Sequence, residues 1–211
     1  MTVPGRIIIL NGVPRAGKSS IASVIQDTFE GVWMNLGVDV QVRHMTPKRY
    51  RPGIGVRPGG ERPDLEPYIP VLYAALYESI AAHSRLGLNV VADVGHHDVY
   101  TKPLRILADC ARRLAGLSVL FVGVHCPLET IMARRNAGEP GREGVYVTAV
   151  PGAPVPEPVQ RWQSAVHSPG IYDLELDTQR MTPTECAESI RRRLDQSLQQ
   201  PTAFERLAAT N

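Results

Sequence analysis

The chain has 211 residues, with 23 Lys and Arg against 21 Asp and Glu, a net charge of +2. That length suits one compact domain with insertions, and the charge is too balanced for a general polyanion-binding surface of the nucleic-acid or membrane kind. A hydrophobic content of 43% with 21% charged residues is that of an ordinary globular protein and excludes wholesale disorder.

Five aliphatic or β-branched runs that end in turn residues are predicted strands, at 6–10, 37–42, 88–92, 118–124 and 172–176. Helical patterns lie between them. Ile21, Val24, Ile25 and Phe29 share one face, as do Leu72, Leu76 and Ile80. Leu104, Ile106, Leu107, Cys110 and Leu114 form a third stripe, and Cys186, Ile190 and Leu194 mark a C-terminal helix started by Thr182 and Pro183. Alternating apolar strands and helices favour a mainly parallel five-stranded sheet covered on both faces, an α/β layout with ligands at the carboxyl ends of the strands. The expected organisation is one domain over 1–199, with an insertion at about 43–70, a lid at about 127–160 and a frayed or loosely docked tail at 200–211. Six prolines and four glycines between 47 and 70, and the run PGAPVPEP at 151–158, rule out regular helix in those two stretches. Cys110, Cys126 and Cys186 are too widely spaced for a disulfide framework or a zinc pattern. With no signal-peptide core and no apolar run of about 18 residues, a cytoplasmic location is expected.

Gly12-Val13-Pro14-Arg15-Ala16-Gly17-Lys18-Ser19 fits GxxxxGK[ST] between a predicted strand and an amphipathic helix, the setting a phosphate-binding loop requires. Its amides and the helix dipole would converge on a nucleotide phosphate, Lys18 would bridge the β- and γ-phosphates, and Ser19, assisted by Ser20, would ligate Mg²⁺. The absence of a guanine-type NKxD signature and the short chain favour a small-molecule kinase over a GTPase switch or a motor.

Phosphoryl transfer needs a base near the γ-phosphate and cations that close over it. Asp39, in Gly37-Val38-Asp39 at the expected end of the second strand, is the candidate base, with a surface turn or helix cap as the alternative. Asp93 ends the third apolar run, where a Walker B carboxylate belongs. Arg134 and Arg135 close the helix after the fourth strand, and Arg142 follows a Gly/Pro-containing segment; they read as lid arginines or as solvated charge. His96-His97-Asp98 fits a substrate-side contact or a helix start capped by Asp98 better than a metal site. Residues 43–62 carry Arg43, Lys48, Arg49, Arg51, Arg57 and Arg62 against Glu61, a local excess of +5 that either solvates a loop or docks an anionic substrate.

These residues together resemble the chloramphenicol phosphotransferase-like family of P-loop kinases. The resemblance is carried by IILNGxxxAGKSS at 8–20, WMNLGVD at 33–39, VVADV at 90–94, VLFVGVHC at 119–126 and YDLELDT at 172–178. It implies ATP-dependent phosphorylation of a hydroxyl on a small molecule such as an antibiotic, with Asp39 as base. It also implies that Arg134 and the 135–142 neighbourhood form an arginine lid, and that Asp177 and Thr178 begin the loop beside the purine. Kinases of nucleosides remain an alternative acceptor class. A nucleotide-dependent regulatory module and a nucleic-acid-end kinase are rivals of other kinds, the latter disfavoured by the weak net charge.

Overall fold

The structure is a computed structural model that describes residues 3–138, 146–150, 152–196 and 200–210. Its centre is a five-stranded, all-parallel sheet of β1 (Ile7–Asn11), β2 (Trp33–Asn35), β3 (Asn89–Val94), β4 (Val119–His125) and β5 (Leu174–Asp177), in the order β2-β3-β1-β4-β5. Register runs Leu10 beside Asp93 and Val122, so β1 and β3 finish together at one edge and β4 runs two residues further.

Side chains alternate across the sheet and divide the core in two. Ile7, Ile9, Val90, Ala92, Val119 and Phe121 face α3 (Ile69–Arg85), α4 (Ile106–Arg113) and α8 (Ala203–Ala208). Ile8, Leu10, Val91, Leu120 and Val122 face α1 (Lys18–Thr28), α5 (Leu128–Asn136), α6 (Glu157–Ala165) and α7 (Pro183–Asp195). Burial on both faces is why these strands read as unbroken apolar runs. The Thr182 and Glu185 side chains complete a capping box at the start of α7, and the three cysteines are buried free thiols.

Two expectations are corrected. The second strand is Trp33–Asn35, not 37–42; residues 38–45 form α2 (Val38–Val40) and a π-helical turn, Gln41–Met45. The Val38, Val40, Val42 alternation imitates a strand, but Gln41 is buried and donates its side-chain amide to Leu72 O at 3.3 Å, so tertiary packing overrides local β preference. Trp33 instead anchors the sheet edge, buried with its ring edge-on to Phe29.

The tail is the second correction. It is not frayed: α8 has its own capping box at Thr202 and Glu205, and its Ala203, Phe204 and Leu207 complete the core between α4 and β4. A twelve-residue polar-looking end hides three apolar anchors, too short a stripe for periodicity to register.

The insertion is folded onto the body. Three 3₁₀ turns, Lys48–Tyr50, Gly53–Gly55 and Glu66–Tyr68, carry Ile54 and Val56 into the core beside Tyr73. No helix among the described residues is long and apolar enough to cross a membrane.

Candidate active site

The loop after β1 wraps above the carboxyl edge of the sheet. Gly12 has no room for a side chain, since a Cβ there would lie 2.4 Å from Val124 O, and Gly17 sits at φ +96°, where a side chain is strained. Lys18 is buried and its ammonium donates to Gly12 O at 2.7 Å and Val13 O at 2.9 Å. Ser19 Oγ donates to Asp93 Oδ2 at 3.1 Å. Thr178, one residue past β5, ties the loop from the far side by donating its hydroxyl to Ala16 O at 2.8 Å.

Asp93 is 7% exposed at the end of β3. Burial holds its carboxyl above the usual carboxylate range, Asp39 adds to the rise, and Lys18 and the Ser19 hydroxyl oppose it. Gly37 makes this packing possible, because a Cβ at 37 would fall 1.6 Å from Asp93 Oδ1. Asp39 follows in the first turn of α2, four residues beyond the edge strand rather than at its end.

A cleft of about 700 Å³ brings most of the anticipated residues together. Gly12, Pro14, Arg15, Gly17, Lys18, Ser19, Ser20, Asp39, Asp93, Arg134, Arg135 and Thr178 all line it. Val13 and Ala16 are buried beneath the loop and do not line the cleft. Asp177 also stays outside, accepting from Gln179 N at 2.9 Å and pairing with Arg180 at 3.6 Å. Arg142 lies outside the described residues.

The two lid-side arginines differ. Arg134 donates to Thr178 O at 2.7 Å, Thr178 Oγ1 at 3.2 Å and Arg15 O at 3.2 Å, so its guanidinium ties α5 to the phosphate loop. Arg135 is only 5% exposed. Among the described residues its Nε finds no acceptor, and its Nη1 reaches only Val147 O, at 3.4 Å. Burial holds its pKa down to about 10, with Arg57 and Arg15 adding to the fall and Tyr146 opposing it. Arg15 and Arg135 both face the Tyr146 ring, at 5.3 and 5.5 Å.

The histidines beyond β3 are structural. His96 lies stacked on Tyr73 and hydrogen-bonded to Tyr77 Oη at 2.8 Å, and burial pushes its pKa down to about 3. His97 Nδ1 accepts from Val99 N at 3.3 Å, which leaves Nε2–H to donate to Val56 O at 2.9 Å and pin the insertion. Asp98 accepts from Leu104 N and Arg105 N just ahead of α4. Among the described residues no group of three or more His, Cys, Asp or Glu forms a metal site.

Behind the loop, Asn11 accepts from His96 N at 2.8 Å and donates to Val166 O and Tyr172 Oη, both at 2.9 Å. Tyr172 Oη in turn donates to His167 Nδ1 at 2.8 Å. This network fixes the residue from which the loop springs, and its members are scattered over the sequence from 11 to 172. Sequence reasoning also missed Trp162, which lines the cleft with its buried Nε1 unpartnered among the described residues, and the close fit of Gly37 against Asp93. The GVD triplet was the only available signal for the latter.

A family model described as chloramphenicol phosphotransferase-like protein matches residues 5–195. Candidate O-phosphotransferases from two Mycobacterium tuberculosis strains are each 31% identical over 220 residues, covering 96% of this chain and 88% of theirs. Among solved structures, an unliganded sugar kinase from Janibacter sp. superposes with TM-score 0.58 at 19% identity, covering 98% of this chain and 100% of its own. The Mycobacterium tuberculosis APS kinase in complex with AMPPNP and APS superposes with TM-score 0.56 at 15% identity, covering 92% and 99%. These structures share the P-loop kinase fold with this protein. The chain belongs to the chloramphenicol phosphotransferase-like family and is a P-loop phosphotransferase.

Proposed function

We propose that the protein transfers the terminal phosphoryl group of ATP to a hydroxyl of a small molecule, with an antibiotic-like natural product as the first acceptor class and nucleosides as the second. The observation that carries this reading is that Asp39, Lys18, Ser19 and Asp93 line one cleft at the carboxyl edge of the sheet. The loop amides and Lys18 would hold the phosphates of the nucleotide, and Thr178 and Arg134 would keep the loop in shape from the purine side.

Ser19 Oγ and the buried Asp93 carboxylate are the residues that would hold Mg²⁺. They fit the ion in chemistry, being two hard oxygen donors 3.1 Å apart, one of them an anion that burial disfavours unless a cation neutralises it. When bound, Mg²⁺ supplies charge neutralisation at the phosphate oxygens. Asp39 would orient the acceptor hydroxyl and take its proton as the phosphorus–oxygen bond forms. Arg135, with Arg142 as the second lid arginine, would stabilise the equatorial phosphoryl oxygens, while Arg134 is already committed to the loop.

Turnover with γ-labelled ATP, measured over a panel of hydroxylated antibiotics and nucleosides, tests the reading. Asp39→Asn is expected to lower kcat by at least ~10²-fold while nucleotide affinity stays near wild type. Full activity in that variant would remove Asp39 from the chemistry.

A further inference from the structure

Three arginines of the basic insertion, Arg43, Arg51 and Arg57, line the cleft without a role in the proposed transfer, and Arg51 is spent on Thr46 O and Arg43 O. Arg57 lines the same cleft as Lys18 and Asp39 although it lies far from both in sequence. Its backbone is clamped on either side: Val56 O accepts from His97 Nε2, Val56 is 1% exposed, and Gly59 N donates to Val99 O at 2.9 Å. Arg57 spends Nη1 on Glu61 at 3.3 Å, and among the described residues the other nitrogens of its fork have no partner.

Arg135 approaches the same region from α5 and Arg15 from the phosphate loop. Burial and the nearness of Arg57 and Arg15 all disfavour charge on Arg135, yet a guanidinium stays protonated at neutral pH. Its unpartnered Nε is more than nine-tenths buried, an arrangement that costs free energy until an acceptor with negative charge arrives. The carboxylates lining the cleft, Asp39 and Asp93, sit with Lys18 and Ser19, whereas Glu61 is outside it. Arg15 spends Nη2 on Arg134 O and Gly138 O, so Arg57 and Arg135 carry most of the donors in this cluster, and cationic forks brought together by three separate elements match the oxygens of a tetrahedral or planar oxyanion.

We propose that Arg57, Arg135 and Arg15 form an oxyanion subsite that grips a phosphate, sulfate or carboxylate group of a bound reactant, with Arg57 as the member supplied by the insertion. The subsite rests on the kinase reading only for the source of that group, which is either the terminal phosphate of the nucleotide or an anionic substituent of the acceptor.

Equilibrium binding separates this from catalysis. Full-length wild type, Arg57→Gln and Arg57→Lys are titrated with MgADP, with MgAMP-PNP, and with sodium sulfate added to the MgAMP-PNP complex, using sodium chloride of equal ionic strength as the reference. Circular dichroism melts confirm that the variants fold. If the acceptor brings the anion, sulfate binds the wild-type AMP-PNP complex and Arg57→Gln weakens that binding about tenfold or more, with Arg57→Lys intermediate. If the nucleotide brings it, Arg57→Gln weakens AMP-PNP by a similar factor and leaves ADP unchanged. Wild-type affinity of Arg57→Gln for AMP-PNP, with no sulfate binding that depends on Arg57, overturns the subsite. Because these titrations read binding and no turnover, the subsite stands or falls independently of whether any tested acceptor is phosphorylated.

Discussion

Gly37→Ala probes the contact on which the metal end of the site depends. The added methyl carbon falls 1.6 Å from Asp93 Oδ1, 2.8 Å from Asp93 Cγ and 2.9 Å from Asp93 N. Swinging the Asp93 side chain about its Cα–Cβ bond relieves the first two contacts but breaks its 3.1 Å hydrogen bond to Ser19. The third is against backbone of a central strand, where Asp93 pairs in register with Leu10, so α2 or β3 must shift as well. Overpacking of this kind costs ~1–3 kcal/mol; at ~2 kcal/mol a chain of this size loses roughly 4–8 °C in melting temperature. Displacing the carboxylate is also expected to weaken Mg²⁺ binding to the AMP-PNP complex by about tenfold, or ~1.4 kcal/mol. Gly55→Ala is the matched control, since its Cβ meets Val42 Cγ2 at an ordinary 3.6 Å in the same cleft. Thermal unfolding and Mg²⁺ titration measure both effects. Should Gly37→Ala match Gly55→Ala in both, the account of Asp93 seated against a glycine is wrong.

Phe204→Ala removes an aromatic anchor that touches Phe121 at 5.0 Å and Tyr77 at 6.4 Å between ring centroids, and is expected to cost ~3–5 kcal/mol in urea unfolding; a loss below ~1 kcal/mol would return α8 to the status of a loose tail. Arg134→Ala strips its hydrogen bonds from the phosphate loop and the Thr178 turn, so nucleotide affinity should fall together with kcat, whereas a pure kcat loss would mark it as a lid group instead. The folded pKa of His96, about 3, lies below its unfolded value of 6.5, so folding binds fewer protons there. Its contribution to stability is therefore full above pH 6.5 and is lost as pH falls toward 3. In NMR titrations its ring signals should stay those of neutral imidazole from about pH 8 to about pH 5, and a midpoint near 6.5 would contradict the burial argument.

The sequence alone determined the parts of this protein whose signals are local. A buried strand, a glycine-rich loop with Lys18 and Ser19, and an amphipathic helix follow one another without a gap, so backbone curvature and phosphate chemistry are written in consecutive residues. The apolar runs of β1, β3 and β4 are equally plain because both faces of a parallel sheet are covered, and Asp93 was legible as the first charge after such a run.

Tertiary structure decided whatever depends on residues distant along the chain. The edge strand is three residues long and its successor helix alternates valines, so only the packing of Gln41 and Trp33 fixes which segment pairs with β3. His96 and His97 stand side by side in sequence, yet one is stacked in the core and the other pins the insertion, a division set by Tyr73, Tyr77 and Val56. Arg134 and Arg135, chemically identical neighbours on one helix, both line the cleft but stand a helical step of about 100° apart, one tied to Thr178 and the other beside the Tyr146 ring with its Nε unpartnered among the described residues. Burial and partnership are properties of the folded surroundings, and they give identical side chains different work.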